Sequence, residues 1–258
     1  MKKYNGEKVI VSLTSFGERF NYAAMAIKHF MDSQTYKDFH LVLTVYKGDL
    51  EQLSDGIKYL LSNDKIELII GEENLCPHLK YFYAMLKYHD LPIATIDDDR
   101  VYSSNMLAKL VEKYQNSKIR GVISNCAPVF SFKDGVIEER NKWCVPWRRM
   151  LPNCISYVAM AEGFAGVLYP PNAFENLIDE IPAIKKYLYD DDIFLRALET
   201  KNGLPVIQAN SMQDIDVKSI DIEEAQKFNL EKHNNADMGY RVSVTRDLSS
   251  ELIKGLYL

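Results

Sequence analysis

The stretch Pro92-Ile-Ala-Thr-Ile-Asp-Asp-Asp-Arg100 decides the fold class of this chain. Its apolar part, Ile93–Ile96, is typical of a short buried strand, and the three aspartates Asp97–Asp99 follow it directly. In open α/β sheets, ligands bind just outside the carboxyl ends of the strands. We therefore expect the aspartates to lie at the ligand-binding edge of a sheet.

Strand-like and helix-like segments alternate on both sides of this stretch. Further strands are predicted at 8–12, 41–46, 66–70, 121–124, 165–169 and 205–209. Helices are predicted at 21–31, 50–61, 77–88, from 104 or 105 to 114, and at 192–200. Continuous apolar strands that alternate with helices imply a sheet covered on both faces. We predict an α/β, Rossmann-like fold with a mixed, mostly parallel sheet. The sequence predicts a single domain over residues 1–258. The polar region after residue 219 is harder to assign to helices or strands.

Composition excludes several classes of protein. The chain has 258 residues, 47% of them hydrophobic, which is ordinary for a globular domain. Its formal net charge of −5 argues against nucleic acid as a partner. No segment reaches the roughly 20 apolar residues that span a bilayer, so we expect a soluble, cytoplasmic protein. The cysteines, Cys76, Cys126, Cys144 and Cys154, form no C-x-x-C pair, which argues against a zinc or disulfide framework.

The three adjacent aspartates predict a metal site. Alternation along an extended chain places Asp97 and Asp99 on the same side, where both can bind one ion. Oxygen ligands suit Mg²⁺ or Mn²⁺, which usually also bind phosphate oxygens of a substrate. The alternative is a solvated acidic turn in which an aspartate caps a helix.

The sequence resembles bacterial GT-A-fold glycosyltransferases that use nucleotide sugars, of the type that builds surface polysaccharides. Five segments carry the resemblance in the family's order: Val11–Phe20, Leu79–Tyr83, Thr95–Tyr102 with the D-x-D pattern, Glu162–Pro171, and Asp190–Leu195. The chain departs from the family at Gly17, where proline is common. The resemblance covers roughly residues 8–210 and implies a nucleotide-binding part at about 1–125 and an acceptor-side part at about 126–258.

The resemblance also implies which residues bind the donor. The expected residues are Thr14, Ser15, Arg19, Lys80, Asp97 and Asp98. Lys80 is expected to pair with the donor diphosphate, and Arg19 to lie beside the nucleotide. For both, the alternative is an ordinary solvated side chain. Asp97 is expected to bind the metal or to face the ribose or sugar, and Asp99 is the firmer metal ligand.

The acidic run Asp190–Asp192 stands where a helix begins, and the family pattern places the catalytic base of inverting members there. The register favours Asp192 as the base, with Asp191 second. Carboxylates at this place also serve as ordinary helix caps. His233 is a candidate third metal ligand by the same resemblance, and a surface histidine otherwise.

A basic and aromatic segment lies between the two acidic runs. Trp143, Trp147, Arg148 and Arg149 suit stacking on a sugar or contact with an anionic acceptor, and the tryptophans equally suit core packing.

The predicted function is metal-dependent transfer of a sugar from a nucleotide sugar, UDP-linked by default, to a glycan or lipid-linked oligosaccharide. A lipid-linked acceptor would bring the protein to the inner face of the membrane as a peripheral protein. Two other classes stay open. Asp97–Val101 fits the D-x-D-x-[TV] pattern of HAD-type phosphatases, although three strands precede it. The third class is a non-catalytic module that binds nucleotides or sugars.

Overall fold

The computed structural model describes residues 8–210, 217–219 and 238–257. The strands in these ranges are β1 (Val9–Thr14), β2 (Phe39–Tyr46), β3 (Glu67–Gly71), β4 (Ile93–Thr95), β5 (Arg100–Tyr102), β6 (Val122–Ser124), β7 (Phe132–Lys133), β8 (Val136–Ile137), β9 (Ile155–Ser156), β10 (Val167–Tyr169), β11 (Val206–Gln208) and β12 (Val217–Ser219). The α-helices are α1 (Phe20–Ser33), α2 (Asp55–Ser62), α3 (Phe82–Lys87), α4 (Met106–Asn116), α5 (Arg140–Trp143), α6 (Ile181–Lys186), α7 (Asp191–Lys201) and α8 (Met238–Lys254).

Eight strands form the main sheet, in the order β3-β2-β1-β4-β10-β6-β11-β9. The ladder β3-β2-β1-β4 is parallel, as is the pair β6-β11. Strand β10 lies between β4 and β6 and runs antiparallel to both, and β9 is antiparallel to β11. The sheet is therefore mixed and mostly parallel.

Helices cover both faces of this sheet because successive side chains of a strand point to opposite sides. On β1, Ile10 belongs to a core cluster with buried residues of α3, α7 and α8. Its neighbours Val9 and Val11 belong to a second cluster with α1, α2 and α4. The predicted fold class, an α/β Rossmann-like sheet with helices on both faces, is confirmed.

Strand β4 positions the triple aspartate. All three of its residues are buried, because β1 and β10 flank it and both faces are covered. The backbone N–H of Ile96 still donates to Ser12, after which the N–H of Asp97 donates to the Tyr102 hydroxyl at 2.9 Å. The chain thus turns directly after the strand, and the aspartates lie at its carboxyl end.

Helix α7 positions the second acidic run. All residues from Ile193 to Thr200 are buried, including the ion pair between Arg196 and Glu199 at 2.7 Å. Arg196 also donates to Thr200 and to the carbonyl of Leu204. This polar network anchors the helix in the core and holds its N-terminal aspartates in place.

Several predicted helices are shorter or divided. The segment predicted as one helix at 50–61 is a 3₁₀ turn, Lys47–Gln52, followed by α2. Likewise, the segment 77–88 is a 3₁₀ turn, Cys76–Lys80, followed by α3. None of the described helices combines the length and apolarity needed to cross a bilayer.

Candidate functional site

One cavity gathers the residues that the sequence singled out. It has a volume of about 1260 Å³ and lies beyond the carboxyl ends of β1 and β4. Of the predicted site residues, it is lined by Thr14, Ser15, Arg19, Lys80, Asp97, Asp98, Asp99, Asp191 and Asp192. His233 lies outside the described residues. Both acidic runs, which are far apart in sequence, thus face the same space.

Arg19 binds the centre of the triple aspartate. Its Nε donates to Asp98 Oδ2 at 3.0 Å and its Nη2 to Asp98 Oδ1, so both carboxylate oxygens are occupied. Nη2 also lies 3.3 Å from Asp99 Oδ2. The guanidinium is 8% exposed, so the alternative of a solvated arginine is wrong.

The remaining aspartates of this run fit a divalent cation. Burial and the charges of Asp97 and Asp98 raise the pKa of Asp99, although Arg19 and Arg100 oppose the rise. This residual repulsion is what a bound cation relieves. Within the described ranges, no three His, Cys, Asp or Glu side chains form a complete metal site. Mg²⁺ is commonly held by one or two carboxylates plus substrate phosphates, and Asp97 and Asp99 suit that arrangement.

The charge of the cavity wall gives a second argument for a cation. Ten acidic side chains line it: Asp49, Asp97, Asp98, Asp99, Glu138, Glu139, Glu162, Asp190, Asp191 and Asp192. Six basic ones line it: Arg19, Lys80, Arg100, Arg140, Arg149 and Arg246. A diphosphate entering this wall meets an excess of negative charge, which a divalent cation offsets.

Lys80 joins the two acidic runs. It ends the 3₁₀ turn Cys76–Lys80, and its Nζ lies 3.2 Å from Asp97 Oδ1 and 2.7 Å from Asp191 Oδ2. Burial opposes its charge, but the neighbouring carboxylates, chiefly Asp191 and Asp97, raise its pKa well above the usual value. Lys80 therefore stays protonated, and the alternative of a solvated helix lysine is wrong.

The aspartates of the second run have different environments. Asp190 is the N-cap of α7, since its Oδ1 accepts from the N–H of Ile193. Burial alone would raise the pKa of Asp191, but the charges of Lys80 and His78 lower it. Burial and the charge of Asp191 raise the pKa of Asp192 to about 8. The helix-cap alternative is therefore correct for Asp190. Asp191 and Asp192 form a pair of carboxyl groups whose pKa values are shifted in opposite directions.

Such separation is the pattern of acid and base assignments in enzymes. Asp191 is the ionised member, held by Lys80, and Asp192 titrates near neutral pH. The Oδ1 of Asp192 accepts from the N–H of Gly163 at 3.1 Å, which fixes the carboxyl group at the cavity wall. The geometry therefore permits Asp192 to accept a proton from a molecule in the cavity.

Gly163 leaves the space that this arrangement needs. A Cβ at this position would lie 2.8 Å from Lys80 Nζ and 3.0 Å from Asp192 Oδ1. Any side chain at residue 163 must therefore displace one or both of these groups.

For the sugar transfer that the sequence resemblance implies, we expect the variant Gly163→Ala to lower kcat/KM about 100-fold, because displacements of about 1 Å cost that much in an oriented site. The measurement is the initial rate of nucleotide release from the donor in the presence of acceptor. Gly135→Ala adds the same methyl group where no atom lies within 4 Å and serves as the control. Because the φ of Gly135 is +74°, this variant should lose some stability, so its melting temperature is measured first and its activity is compared at a temperature where it is folded; there it should keep wild-type activity. Wild-type rates for Gly163→Ala would contradict the crowding argument.

Glu162 is a buried carboxylate of the cavity wall that holds several neighbouring side chains together. It was not predicted as a functional residue. Its Oε1 accepts from Arg140 Nη2 and from Cys144 Sγ, both at 3.1 Å. Its Oε2 accepts from Cys126 Sγ at 2.8 Å and lies 3.5 Å from Arg149 Nη2. Burial and Glu162 raise the pKa of both thiols, so these cysteines are hydrogen-bond donors rather than nucleophiles. The only sequence signal was the glycine-rich segment that begins at Glu162.

The two tryptophans of this region have different environments, and only the core-packing interpretation of Trp143 is confirmed. Trp143 is fully buried against Phe130 and donates to the carbonyl of Glu138, so it fills the core. Trp147 is 82% exposed. Arg148 donates to backbone carbonyls of Val129 and Phe130 and therefore holds the wall together.

Comparison with known proteins shows similarity of fold. No protein-family model and no curated protein sequence matches the chain. A solved structure from Bacillus anthracis, described as a glucose-1-phosphate thymidylyltransferase in complex with sucrose, superposes with a TM-score of 0.53 at 14% identity, over 86% of this chain and 92% of that one. Two structures of glucosyl-3-phosphoglycerate synthase from Mycobacterium tuberculosis, both with Mn²⁺ and UDP, match at a TM-score of 0.34 and 12% identity, over 46% of this chain and 43% of theirs. At these identities the likeness concerns the fold alone.

Proposed function

We propose that this protein is a metal-dependent glycosyltransferase that moves a sugar from a nucleotide sugar, UDP-linked by preference, to a hydroxyl of a glycan or lipid-linked acceptor. The observation that carries the proposal is the pair Asp191–Asp192 with separated pKa values, facing the same cavity as Asp97–Asp99. A cavity with a cation-binding edge and a separate candidate base suits transfer from a diphosphate to a hydroxyl. The physiological role that fits the sequence resemblance is surface polysaccharide synthesis, with peripheral contact at the cytoplasmic face of the membrane.

The residues of the chain take distinct parts in this reaction. Asp97 and Asp99 would hold Mn²⁺ or Mg²⁺, which supplies Lewis-acid stabilisation of the departing diphosphate. Thr14, Ser15 and Arg19 line the nucleotide side of the cavity. The ammonium of Lys80 lies between the diphosphate side and the base, and its charge opposes the negative charge that develops on the leaving group.

Asp192 is the proposed general base. Its carboxylate takes the proton of the acceptor hydroxyl while the acceptor oxygen bonds to the anomeric carbon of the donor sugar. The bond from that carbon to the diphosphate breaks, and the electron pair leaves with the nucleoside diphosphate. This in-line displacement inverts the anomeric configuration.

A second candidate function is synthesis of a nucleotide sugar, because the match of 86% of the chain is to a sugar nucleotidyltransferase fold. In that reaction a sugar 1-phosphate attacks a nucleoside triphosphate and pyrophosphate leaves. A phosphate nucleophile is already ionised and needs no general base. The buried, proton-accepting Asp192 therefore favours glycosyl transfer.

The phosphatase alternative is not favoured by the fold. Strands β1, β2 and β3 precede Asp97 and form one continuous ladder with β4, so they belong to the same sheet as the candidate nucleophile. A HAD-type nucleophile usually follows the first strand of its domain. The non-catalytic binding module remains the outcome that the following experiment distinguishes.

The test is a panel of ligands with and without metal. We expect UDP and UDP-sugars to raise the melting temperature with Mn²⁺ or Mg²⁺, and to lose most of this effect in EDTA, since ligands that bind only the folded state stabilise it by mass action. Slow metal-dependent hydrolysis of the preferred UDP-sugar should accompany binding. Pyrophosphate release from a nucleoside triphosphate and glucose 1-phosphate would support the second candidate. Binding without turnover in either assay would favour the non-catalytic module.

A further inference from the structure

Arg140 lines the same cavity as the proposed base Asp192. It begins the short helix α5, and its guanidinium lies over the ring of Trp143, 5.5 Å from the ring centroid. Nη2 donates to Glu162 Oε1 at 3.1 Å, which fixes the plane of the group. The charges of Asp192 and Asp190 also act on it. Arg140 is thus held by Glu162, and the next residue, Gly163, binds the proposed base Asp192 through its N–H.

The guanidinium of Arg140 has hydrogen-bonding capacity that the protein does not use. A guanidinium carries five N–H donors. The Nη1 of Arg140 is buried and has no hydrogen-bond partner among the described residues. A buried cationic donor without an acceptor is costly, and a ligand that supplies the acceptor is one arrangement that removes this cost.

A second guanidinium, that of Arg149, meets Arg140 at the same carboxylate. Glu162 is shared by two cations, Arg140 and Arg149, and its oxygens additionally accept from two thiols. Glu162 thus has two guanidinium partners, while the charges of Asp190 and Asp192 act on Arg140 as well. Both arginines line the cavity, and their side chains are 26% and 18% exposed.

Planar guanidinium groups bind carboxylate and phosphate oxygens with good geometry. We propose that the acceptor carries an oxyanion, a phosphate or a carboxylate, that binds to Arg140 with Arg149 beside it and so places the acceptor hydroxyl at Asp192. The inference rests on the proposed function, whose donor and metal are assigned to Asp97–Asp99, on the other side of Lys80 from Asp191. A neutral acceptor leaves the spare donors of Arg140 unsatisfied and binds more weakly.

The first test measures binding of inorganic phosphate by thermal shift, with the donor side filled by saturating UDP and Mn²⁺. Phosphate should raise the melting temperature of the wild type. Arg140→Gln should weaken the apparent phosphate affinity about tenfold or more, while its response to UDP and Mn²⁺ stays unchanged. Lys142→Gln removes an exposed charge from the same helix and should behave like the wild type. Arg140→Lys keeps the charge but not the planar donors and should fall between the two.

The second test separates the sources of the oxyanion. Release of UDP from the donor is measured with a hexose, the corresponding hexose 6-phosphate and the corresponding hexuronate. Greater stimulation by one anionic acceptor identifies its class, and Arg140→Gln should raise the KM for that acceptor about tenfold without changing the KM for the donor.

The outcomes also separate this inference from the proposed function. If UDP with Mn²⁺ stabilises the protein but phosphate does not, or stabilises Arg140→Gln equally well, the oxyanion site is overturned and the donor assignment stands. If phosphate binds through Arg140 but UDP has no effect, the anion site is supported and the proposed function fails. Should Arg140→Gln not fold, Arg140→Lys takes its place, and an apparent phosphate affinity equal to that of the wild type overturns the oxyanion site.

Discussion

The variant Asp192→Asn is expected to transfer sugar about 10³-fold more slowly than the wild type. General bases contribute roughly 10² to 10⁴ in rate, and an amide cannot take the proton of the acceptor hydroxyl. Its oxygen can still accept from the N–H of Gly163, so the local structure should persist. Donor binding, which is assigned to Asp97–Asp99 rather than to Asp192, should stay within about a factor of two. Initial rates and thermal shifts with UDP and Mn²⁺ measure the two effects.

Asp190→Asn is the matched control for this variant. Asparagine is as good an N-cap as aspartate, so α7 should begin normally and activity should stay within a few-fold of the wild type. If Asp192→Asn keeps full activity and Asp191→Asn loses activity, the assignment is reversed and Asp191 is the general base.

The same carboxyl group sets an expected pH dependence. Because burial and Asp191 raise the pKa of Asp192 to about 8, log kcat/KM should rise with pH and level off above about pH 8. The folded state also holds this proton above the pH at which the unfolded chain, with a carboxyl pKa of about 4, releases it. The stability that Asp192 contributes is therefore present in acid and is lost as pH rises towards 8. The melting temperature of Asp192→Asn should exceed that of the wild type at pH 9, by a margin that shrinks at pH 5.

The variant Lys80→Met is expected to lose about 3–5 kcal/mol of unfolding free energy. The ammonium lies between Asp97 and Asp191, and removing one member of a buried ionic group leaves the other charges uncompensated. Methionine fills similar volume, so the loss should reflect charge rather than a cavity. Urea unfolding at pH 7 measures the change in unfolding free energy. The m-value, the slope of this free energy against urea concentration, should be the same in the wild type and the variant.

Lys87→Met is the corresponding control. Lys87 pairs with Glu67 at 2.6 Å but is half-exposed, and exposed pairs contribute about 0–1 kcal/mol. If both variants lose less than about 1 kcal/mol, Lys80 is not the electrostatic link between the acidic runs.

The sheet and the approximate place of the site could be predicted because both depend on local sequence. Apolar runs such as Ile93–Ile96 indicate buried strands without knowledge of their neighbours. The carboxyl ends of such parallel strands meet at one edge of the sheet. This rule predicted that Asp97–Asp99 lie close to Thr14 and Ser15, which follow the first strand. The direction of β10 could not be read, since a run of three apolar residues is compatible with either orientation.

The connections across the site could not be predicted because they join distant parts of the chain. The pairing of Lys80 with Asp191 depends on how the 3₁₀ turn before α3 meets the start of α7. The ion pair of Arg196 and Glu199 reads as a polar helix face in the sequence, but tertiary packing buries it completely. The contacts of Glu162 with arginines and thiols likewise depend on the packing of the segment that contains Cys126 and of the segment from Arg140 to Arg149.

The place of β10 in the sheet has a consequence for biosynthesis. Strands β4 and β6 do not pair with each other, because β10 separates them and arrives only with Val167–Tyr169. Until the ribosome has released that segment, each has an unpaired backbone edge, and such edges readily pair with other chains. A fragment that ends before Val167 contains the whole triple-aspartate edge, yet we expect it to aggregate rather than fold. The first half of the chain is thus not expected to be a separable folding unit, because its part of the sheet is completed by a strand from the other half.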